Sequence, residues 1–517
     1  MSSSLWRGAL LLTAAAVGVK IMSAAYRIPF QNLAGDLGFY VYQQVYPFFA
    51  IALFLATYGF PAVVSKMVSG HLTVNGSRGT AGLFLRSFFV IAILATVLFG
   101  CLFFGAPAIA SWMGDPRLSG PLRTISFCFL FVPFIAVAGG FFQGHENMRP
   151  TALSQLLAQL IRASCIIGFA WLAFARGFDP YTTGELAALG SLAGFAVSFV
   201  LLAVLLLRGR RLLKPGQIRL PLARLKGVIL LDGLVYSVCS LTVVFCLMID
   251  TFTVVPLLGA EPSHALKWMG IYDRGYPLLQ LCTAAATSFA VAFVPALSKA
   301  RRKQDIRYIC EKCGQALKLA TAFAAAAAAG FAAAAPSINR MLFEDSAGTA
   351  SLALFGPAML FASLALVMTA ILQALDFTKL SFRHALAGLL CKLALNVMLV
   401  PLFGTSGAAA ATAAAFAVIA WLDGRLLHQE TAAFSFLFRS GGKLILSLAV
   451  MTLAVLLSQF ALALVFSGGG RLAATCQALI GVAVGIVVFL RMLRRTGYLK
   501  TAEVFRVMRS KKAVDSV

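Results

Sequence analysis

The chain has 517 residues, of which 60% are hydrophobic and only 12% charged, with a mean hydropathy of +0.90. A soluble domain carries about 25% charged residues, so this composition excludes a soluble enzyme or binding module and describes an integral membrane protein. The formal net charge of +25 would suit a nucleic-acid binder on its own, and the placement of the basic residues decides against that.

A helical span needs about 20 mostly apolar residues. Fourteen such runs are predicted, near 8–31, 38–65, 80–105, 121–142, 151–175, 184–207, 228–258, 268–297, 314–335, 351–375, 380–401, 407–427, 441–466 and 471–490. Barrel strands would alternate over about ten residues, and these runs do not. Arg7 to Ala25 has the outline of a signal peptide, but Lys20 interrupts its apolar part, so the stretch reads as the first span. With the N-terminus in the cytoplasm, most of the 43 basic residues fall on that side. One inner loop holds Arg208, Arg210, Arg211, Lys214, Arg219, Arg224 and Lys226, and another holds Lys299, Arg301, Arg302, Lys303, Arg307 and Lys312. This positive-inside pattern predicts a multi-pass protein of the plasma membrane with both termini cytoplasmic. The partners of that charge are anionic membrane lipids, with no role for nucleic acid.

In chain order, the first run carries Lys20 and Arg27 about two helical turns apart, and therefore on one face. A short outward turn with Asp36 leads to the second run, whose entry is unusually polar (Gln43, Gln44, Tyr46, Pro47) and predicts a face turned to water. It leaves through Pro61-Ala62-Val63-Val64-Ser65-Lys66, which the eighth run echoes in Pro295-Ala296-Leu297-Ser298-Lys299. A second echo links Gln143 with Gln373, and the same offset of 230 residues links Arg162 with Lys392. Matching landmarks at matching spacing predict two six-helix lobes in parallel pseudo-repeat plus two extra C-terminal helices, an all-α architecture. The lobes are 1–227 and 228–430, followed by the last two spans in 431–493 and a basic cytoplasmic tail, 494–517, read as a surface helix at the inner leaflet. Asp250 lies deep in the seventh run, whereas Asp232 lies near its cytoplasmic end. The eighth opens with Tyr272-Asp273-Arg274, two adjacent full charges in an apolar stretch. Lys392 and Asn396 stand four apart on one face of the eleventh. The ninth run is almost all alanine, which predicts close packing rather than chemistry.

Charges at bilayer depth persist where they find a partner or water. Lys20, Arg27, Arg162, Arg274 and Lys392 against Asp250 and Asp273 therefore predict a shared polar cavity that leans positive. Guanidinium groups hold phosphate oxygens bidentately, so an anionic, phosphate-bearing ligand is expected, with Arg274 the first candidate. No Walker loop, GxGxxG, HExxH or GxSxG element occurs, which excludes an ATP-driven pump. The five histidines are scattered, Cys310 and Cys313 form a lone CxxC, and the outward carboxylates do not cluster. No enzyme chemistry, metal or cofactor is expected.

The stretch Phe142-Gln143-Gly144 through Pro150-Thr151-Ala152-Leu153-Ser154-Gln155-Leu156 to Arg162, together with Tyr272-Asp273-Arg274 and the Lys20 and Arg27 pair, resembles the lipid II flippases. It is most similar to their Gram-positive branch, shared with stage V sporulation protein B and other polysaccharide exporters. The resemblance covers essentially the whole chain. It implies the multidrug/oligosaccharidyl-lipid/polysaccharide exporter fold, alternating access about a cationic cavity, and a groove for a lipid tail along the last two spans. By position, Lys20, Arg27, Asp273 and Arg274 match the substrate-binding residues of that family. The chain departs from it at Pro277, where some members carry a glutamate, and at apolar Phe48 to Leu55, where some carry an arginine. Some relatives bind sodium between the seventh, eleventh and twelfth spans. Asp250, Asn396 and Thr412 match that ion site, with Val400 in place of a further carboxylate.

The expected function is thus a monomeric flippase moving an undecaprenyl-diphosphate-linked peptidoglycan precursor, lipid II, to the outer leaflet. The alternatives are export of another lipid-linked polysaccharide, including a sporulation-specific one, and a cation-coupled multidrug antiporter.

Overall fold

A computed structural model describes Leu12, Ala15 and residues 18–76, 78–216, 233–259, 262–431, 435–465 and 470–498. Asp232, the basic stretch with Arg219, Arg224 and Lys226, and the tail beyond Tyr498 lie outside the described residues.

The described residues are helical throughout, apart from short connections and one isolated bridge between Arg78 and Lys214. Inside a bilayer every backbone N–H and C=O needs an internal partner, and a helix supplies it without a neighbour. Among the described residues, ten helices are long and apolar enough to cross a membrane, or up to eleven if one bent pair counts as a span. Two of the ten are far longer than one crossing requires, 57 residues over Gly18–Val74 and 54 over Thr378–Thr431. Each is broken at a glycine and takes in two of the predicted runs. The chain is an all-α, multi-pass membrane protein.

The chain divides into two compact units. The first comprises residues 1–281 and 378–411. Here α1 (Arg27–Phe54) bends at Gly35, whose φ of 68° and ψ of 178° admit no ordinary side chain. A π-helical turn, Leu55–Gly59, joins it to α2 (Phe60–Asn75). Then come α3 (Thr80–Trp112), α4 (Ser119–Ser126), α5 (Cys128–Gly144), α6 (Arg149–Arg176) and α7 (Pro180–Arg208). The start of α7 follows from local chemistry. Asp179 accepts from the backbone N–H groups of Tyr181 and Thr182, and Pro180 occupies the first helical position, where a missing N–H is harmless. The unit continues with α8 (Gly233–Ser240), α9 (Thr242–Leu257), α10 (Pro262–Asp273), the first turns of α11 (Gly275–Arg302), and the first part of α14 (Thr378–Thr431), including its break at Gly404.

The second unit comprises residues 282–377 and 412–517. Within it the rest of α11, α12 (Ile306–Phe343), α13 (Thr349–Ala374) and the end of α14 share a core with Leu297, Leu317, Ile371, Leu372 and Leu427. A second cluster joins α12 to α15 (Ser435–Val465) and α16 (Arg471–Arg495) through Ala322, Met451 and Phe489. Lipid tails are as apolar as leucine, so these helices associate by close packing rather than by the hydrophobic effect. The alanine run of α12 serves that end: Ala320, Ala324, Ala328 and Ala335 are all buried.

Candidate functional site

The first unit gathers the buried charges into three groups. One forms where α1 meets the junction of α10 and α11. The bend at Gly35 presents Asp36 at the head of the second limb, and its Oδ1 accepts from Gln31 Nε2 at 2.9 Å and from Arg274 Nε and Nη2 at 3.2 and 2.5 Å. Arg274 is 1% exposed and Asp36 12%. The approach is close because residue 270 is glycine: a Cβ there would stand 2.2 Å from the Asp36 carbonyl oxygen.

Asp273, next to Arg274 in sequence, is fully buried. Its Oδ2 accepts from Gln44 Nε2 at 3.4 Å, and its Oδ1 has no partner. Neighbours on a helix point about 100° apart, so the charge beside Arg274 in sequence need not be its partner in space. Arg27 lies under the same limb of α1. Its guanidinium carbon sits 4.0 Å from the centre of the Tyr46 ring, and Nη1 donates to Gln280 Oε1 at 3.1 Å. Its Nε and Nη2 are buried without a partner, and no carboxylate pairs with it among the described residues. Both amide atoms of Gln43, Gln44 Oε1 and the Tyr40 hydroxyl are likewise buried and unengaged. Lys20, in contrast, is exposed on the helical stretch before Tyr26 and makes none of these contacts.

The second group centres on Arg162 of α6. Its Nη2 donates to the hydroxyls of Tyr26 and Tyr42 at 2.7 and 2.6 Å, its Nη1 to Gln159 Oε1 and its Nε to Ser191 Oγ. The Phe49 ring covers its face at 3.9 Å. A small pocket beside it is lined by Gln155, Gln159, Ser191 and Ser198 among apolar side chains.

The third group surrounds Asp250 of α9. Lys392 Nζ stands 2.5 Å from its Oδ1 and also donates to the Ala408 carbonyl at 3.0 Å. Asn396 Nδ2 donates to the same Oδ1 at 2.7 Å and to Thr253 Oγ1 at 2.7 Å. The hydroxyls of Tyr272 and Tyr276 donate to Oδ2 at 2.8 and 2.5 Å. Asp250, Lys392 and Asn396 are all fully buried. Thr412, the third residue of the expected ion site, is buried within the second unit.

Of the candidate binding residues, Arg27, Asp273 and Arg274 are thus each tied to a segment distant in sequence, and Lys20 is not. Reasoning from sequence places Asp36 in an outward turn and misses its pairing with Arg274. It also misses the four tyrosines that receive Arg162 or hold Asp250. The spacing of Tyr272 and Tyr276, one turn apart and flanking the charged pair, was the visible sign.

The pattern of the family described as polysaccharide biosynthesis protein matches residues 5–301. The chain is 37% identical over 501 residues to the "Uncharacterized membrane protein YabM" of Bacillus subtilis (strain 168), covering 95% of this chain and 93% of that one. It is 26% identical to the "Lipid II flippase MurJ" of the same organism, covering 97% of each. The solved structure "Lipid II flippase MurJ, inward closed conformation" superposes with a TM-score of 0.66 at 16% identity, covering 94% of this chain and 99% of that one. The chain therefore belongs to the polysaccharide biosynthesis protein family, within the multidrug/oligosaccharidyl-lipid/polysaccharide exporter superfamily.

Proposed function

We propose that the protein is a flippase that carries an undecaprenyl-diphosphate-linked peptidoglycan precursor, lipid II, from the inner to the outer leaflet by alternating access, without covalent chemistry. The observation that carries this reading is Arg27, a fully buried guanidinium with two N–H-bearing nitrogens unengaged and no ion-paired carboxylate among the described residues. A buried cation held in that state is matched by an anion that arrives from outside the chain, and a diphosphate offers the oxygens a guanidinium grips best. Arg274 and Lys20 would share the diphosphate charge, with Asp273 orienting the basic groups. In this reading both termini lie in the cytoplasm, which the loop charges support, and one chain is the working unit. An inward-negative potential then helps drive the anion outward, at about 2.3 kcal/mol per charge per 100 mV.

The relative named for lipid II is more distant than the uncharacterized membrane protein, 26% against 37% identical. That difference favours, as a second reading, export of another lipid-linked polysaccharide by the same machinery. A cation-coupled drug antiporter fits less well, because Arg27 leaves two nitrogens unpartnered against a single oxygen of Asp273. Complementation separates these readings. Rescue of cells depleted of their lipid II flippase, abolished by R27A at normal protein level, supports the first. Normal membrane insertion without rescue overturns it in favour of another glycan, and drug resistance without rescue points to the antiporter.

A further inference from the structure

The carboxylate of Asp250 has about four lone-pair positions, and four donors point at it: Lys392 Nζ and Asn396 Nδ2 at Oδ1, Tyr272 and Tyr276 hydroxyls at Oδ2. A sodium ion needs oxygen lone pairs converging on one empty point. Here the neighbouring groups converge on the carboxylate instead, and each presents hydrogen to it. Asn396 turns its NH₂ toward Asp250 and leaves its own Oδ1 without a partner. The reverse orientation would set the amide oxygen against a carboxylate. The residues present therefore do not fit the sodium ion that the family resemblance implies at Asp250 and Asn396.

The geometry points to Lys392 as the resident cation of this pocket, so that the chain works without an exchangeable metal ion at Asp250. The ammonium lies where a bound cation would lie. It is in contact with the buried carboxylate and with a backbone carbonyl, Ala408 O, beyond the Gly404 break. It thereby pins α9 to both limbs of α14, while Tyr272 and Tyr276 add α10 and α11 to the same carboxylate. An ion that binds and leaves would make that assembly conditional on the medium; a cation carried on a side chain makes it permanent. The inference concerns the cation alone and does not depend on which glycan is carried.

The test uses the full-length protein in detergent, with radioactive sodium retention and thermal unfolding measured in sodium chloride against choline chloride at equal ionic strength. The wild type is expected to show no saturable sodium retention and the same unfolding midpoint in both salts. K392A, and K392Q as a bulkier neutral replacement should the first not fold, vacates the ammonium and leaves Asp250. Such a variant is expected to gain saturable sodium retention at least tenfold above the wild-type background, with stabilisation specific to sodium, both abolished by adding D250N. Saturable sodium binding by the wild type that D250N removes would overturn the inference. A folded Lys392 variant that stays indifferent to sodium would overturn it too, because the lysine would then not be filling a cation site.

Discussion

Arg274 is joined to Asp36, 238 residues earlier in the chain, by a guanidinium–carboxylate contact of 2.5 Å, and the acidic residue beside it in sequence has a different partner. Removing one member of a buried pair leaves the other charge uncompensated, typically at about 3 to 5 kcal/mol. Asp36→Asn is therefore expected to destabilise the protein by about 3 kcal/mol, the lower end, because Asp36 keeps some exposure. Denaturant unfolding in detergent measures it. R274Q on the D36N background should then cost little more, since the charge it removes has already lost its partner; an additive double-mutant cycle would show that the pair contributes nothing.

The same contact requires Gly270. A methyl group at that position meets the Asp36 carbonyl, which is backbone and has no rotamer through which to retreat. Gly270→Ala is expected to push α10 from α1 and to lower the yield of folded protein severely. Gly70→Ala in α2, where nothing lies within 4 Å, is expected to leave yield unchanged or raise it. Monodisperse protein recovered after detergent extraction distinguishes the two, and equal recovery would contradict the packing described.

Arg27 should behave in the opposite way to Arg274. With no ion-paired carboxylate among the described residues, Arg27→Gln removes a buried cation that is poorly compensated and is expected to leave the unfolding midpoint unchanged or raised. A charge-assisted hydrogen bond to a ligand is worth about 1.5 to 3 kcal/mol. Translocation of lipid-linked diphosphate in vesicles should therefore fall about ten- to a hundredfold. Arg27→Lys should fall between, because an ammonium lacks the fork that grips two oxygens. A drop in stability without loss of transport would assign Arg27 to the fold instead.

One acid outside the spans gives a dependence on pH. The Thr182 hydroxyl, followed by the backbone N–H groups of Thr182 and Tyr181, holds the Asp179 carboxyl below its ordinary value of 3.8. A carboxylate lowered in the folded state stabilises it above the unfolded value, and that contribution disappears as pH falls through the folded one. Asp179 is exposed, so the effect is small. D179N, which still caps α7, is expected to flatten the acid limb of the unfolding midpoint between about pH 5 and 3 while leaving it nearly unchanged at pH 7.

Much of this arrangement is legible in the sequence, for a physical reason. Placing a full charge in an apolar run is costly, so Arg27, Arg162, Asp250, Asp273, Arg274 and Lys392 announce themselves, and all six are buried. What periodicity cannot supply is the partner. Lys392 and Asn396 are seen to share a face, but that Asp250 waits for both of them depends on how α9 and α14 pack. Asp36 was read as an ordinary turn residue because a bend at one glycine decides whether it faces water or Arg274. Tyrosines are uninformative in an apolar run until the hydroxyl is placed. Lys20 shows the converse: its spacing from Arg27 is right for a shared face, yet the side chain is exposed while Arg27 is not.

Arg162 and Lys392, the two cations related by the internal offset, are both fully engaged, one by hydroxyls and amides and the other by a carboxylate. This predicts that Arg162 belongs to the framework and not to the ligand. Its guanidinium gathers Tyr26 and Tyr42, on either side of the Gly35 bend, and so fixes the angle between the two limbs that carry Arg27 and Asp36. Arg162→Met strands those hydroxyls with Gln159 and Ser191, each at about 1 to 3 kcal/mol, and is expected to destabilise by at least about 3 kcal/mol. Tyr42→Phe removes one hydrogen bond to a charged group and should cost about 2 kcal/mol. If the bend is what Arg162 holds, a cysteine pair reporting the distance between the limbs should change its crosslinking in R162M and much less in Y42F. Unaltered crosslinking with lost transport would move Arg162 from the framework to the transported anion.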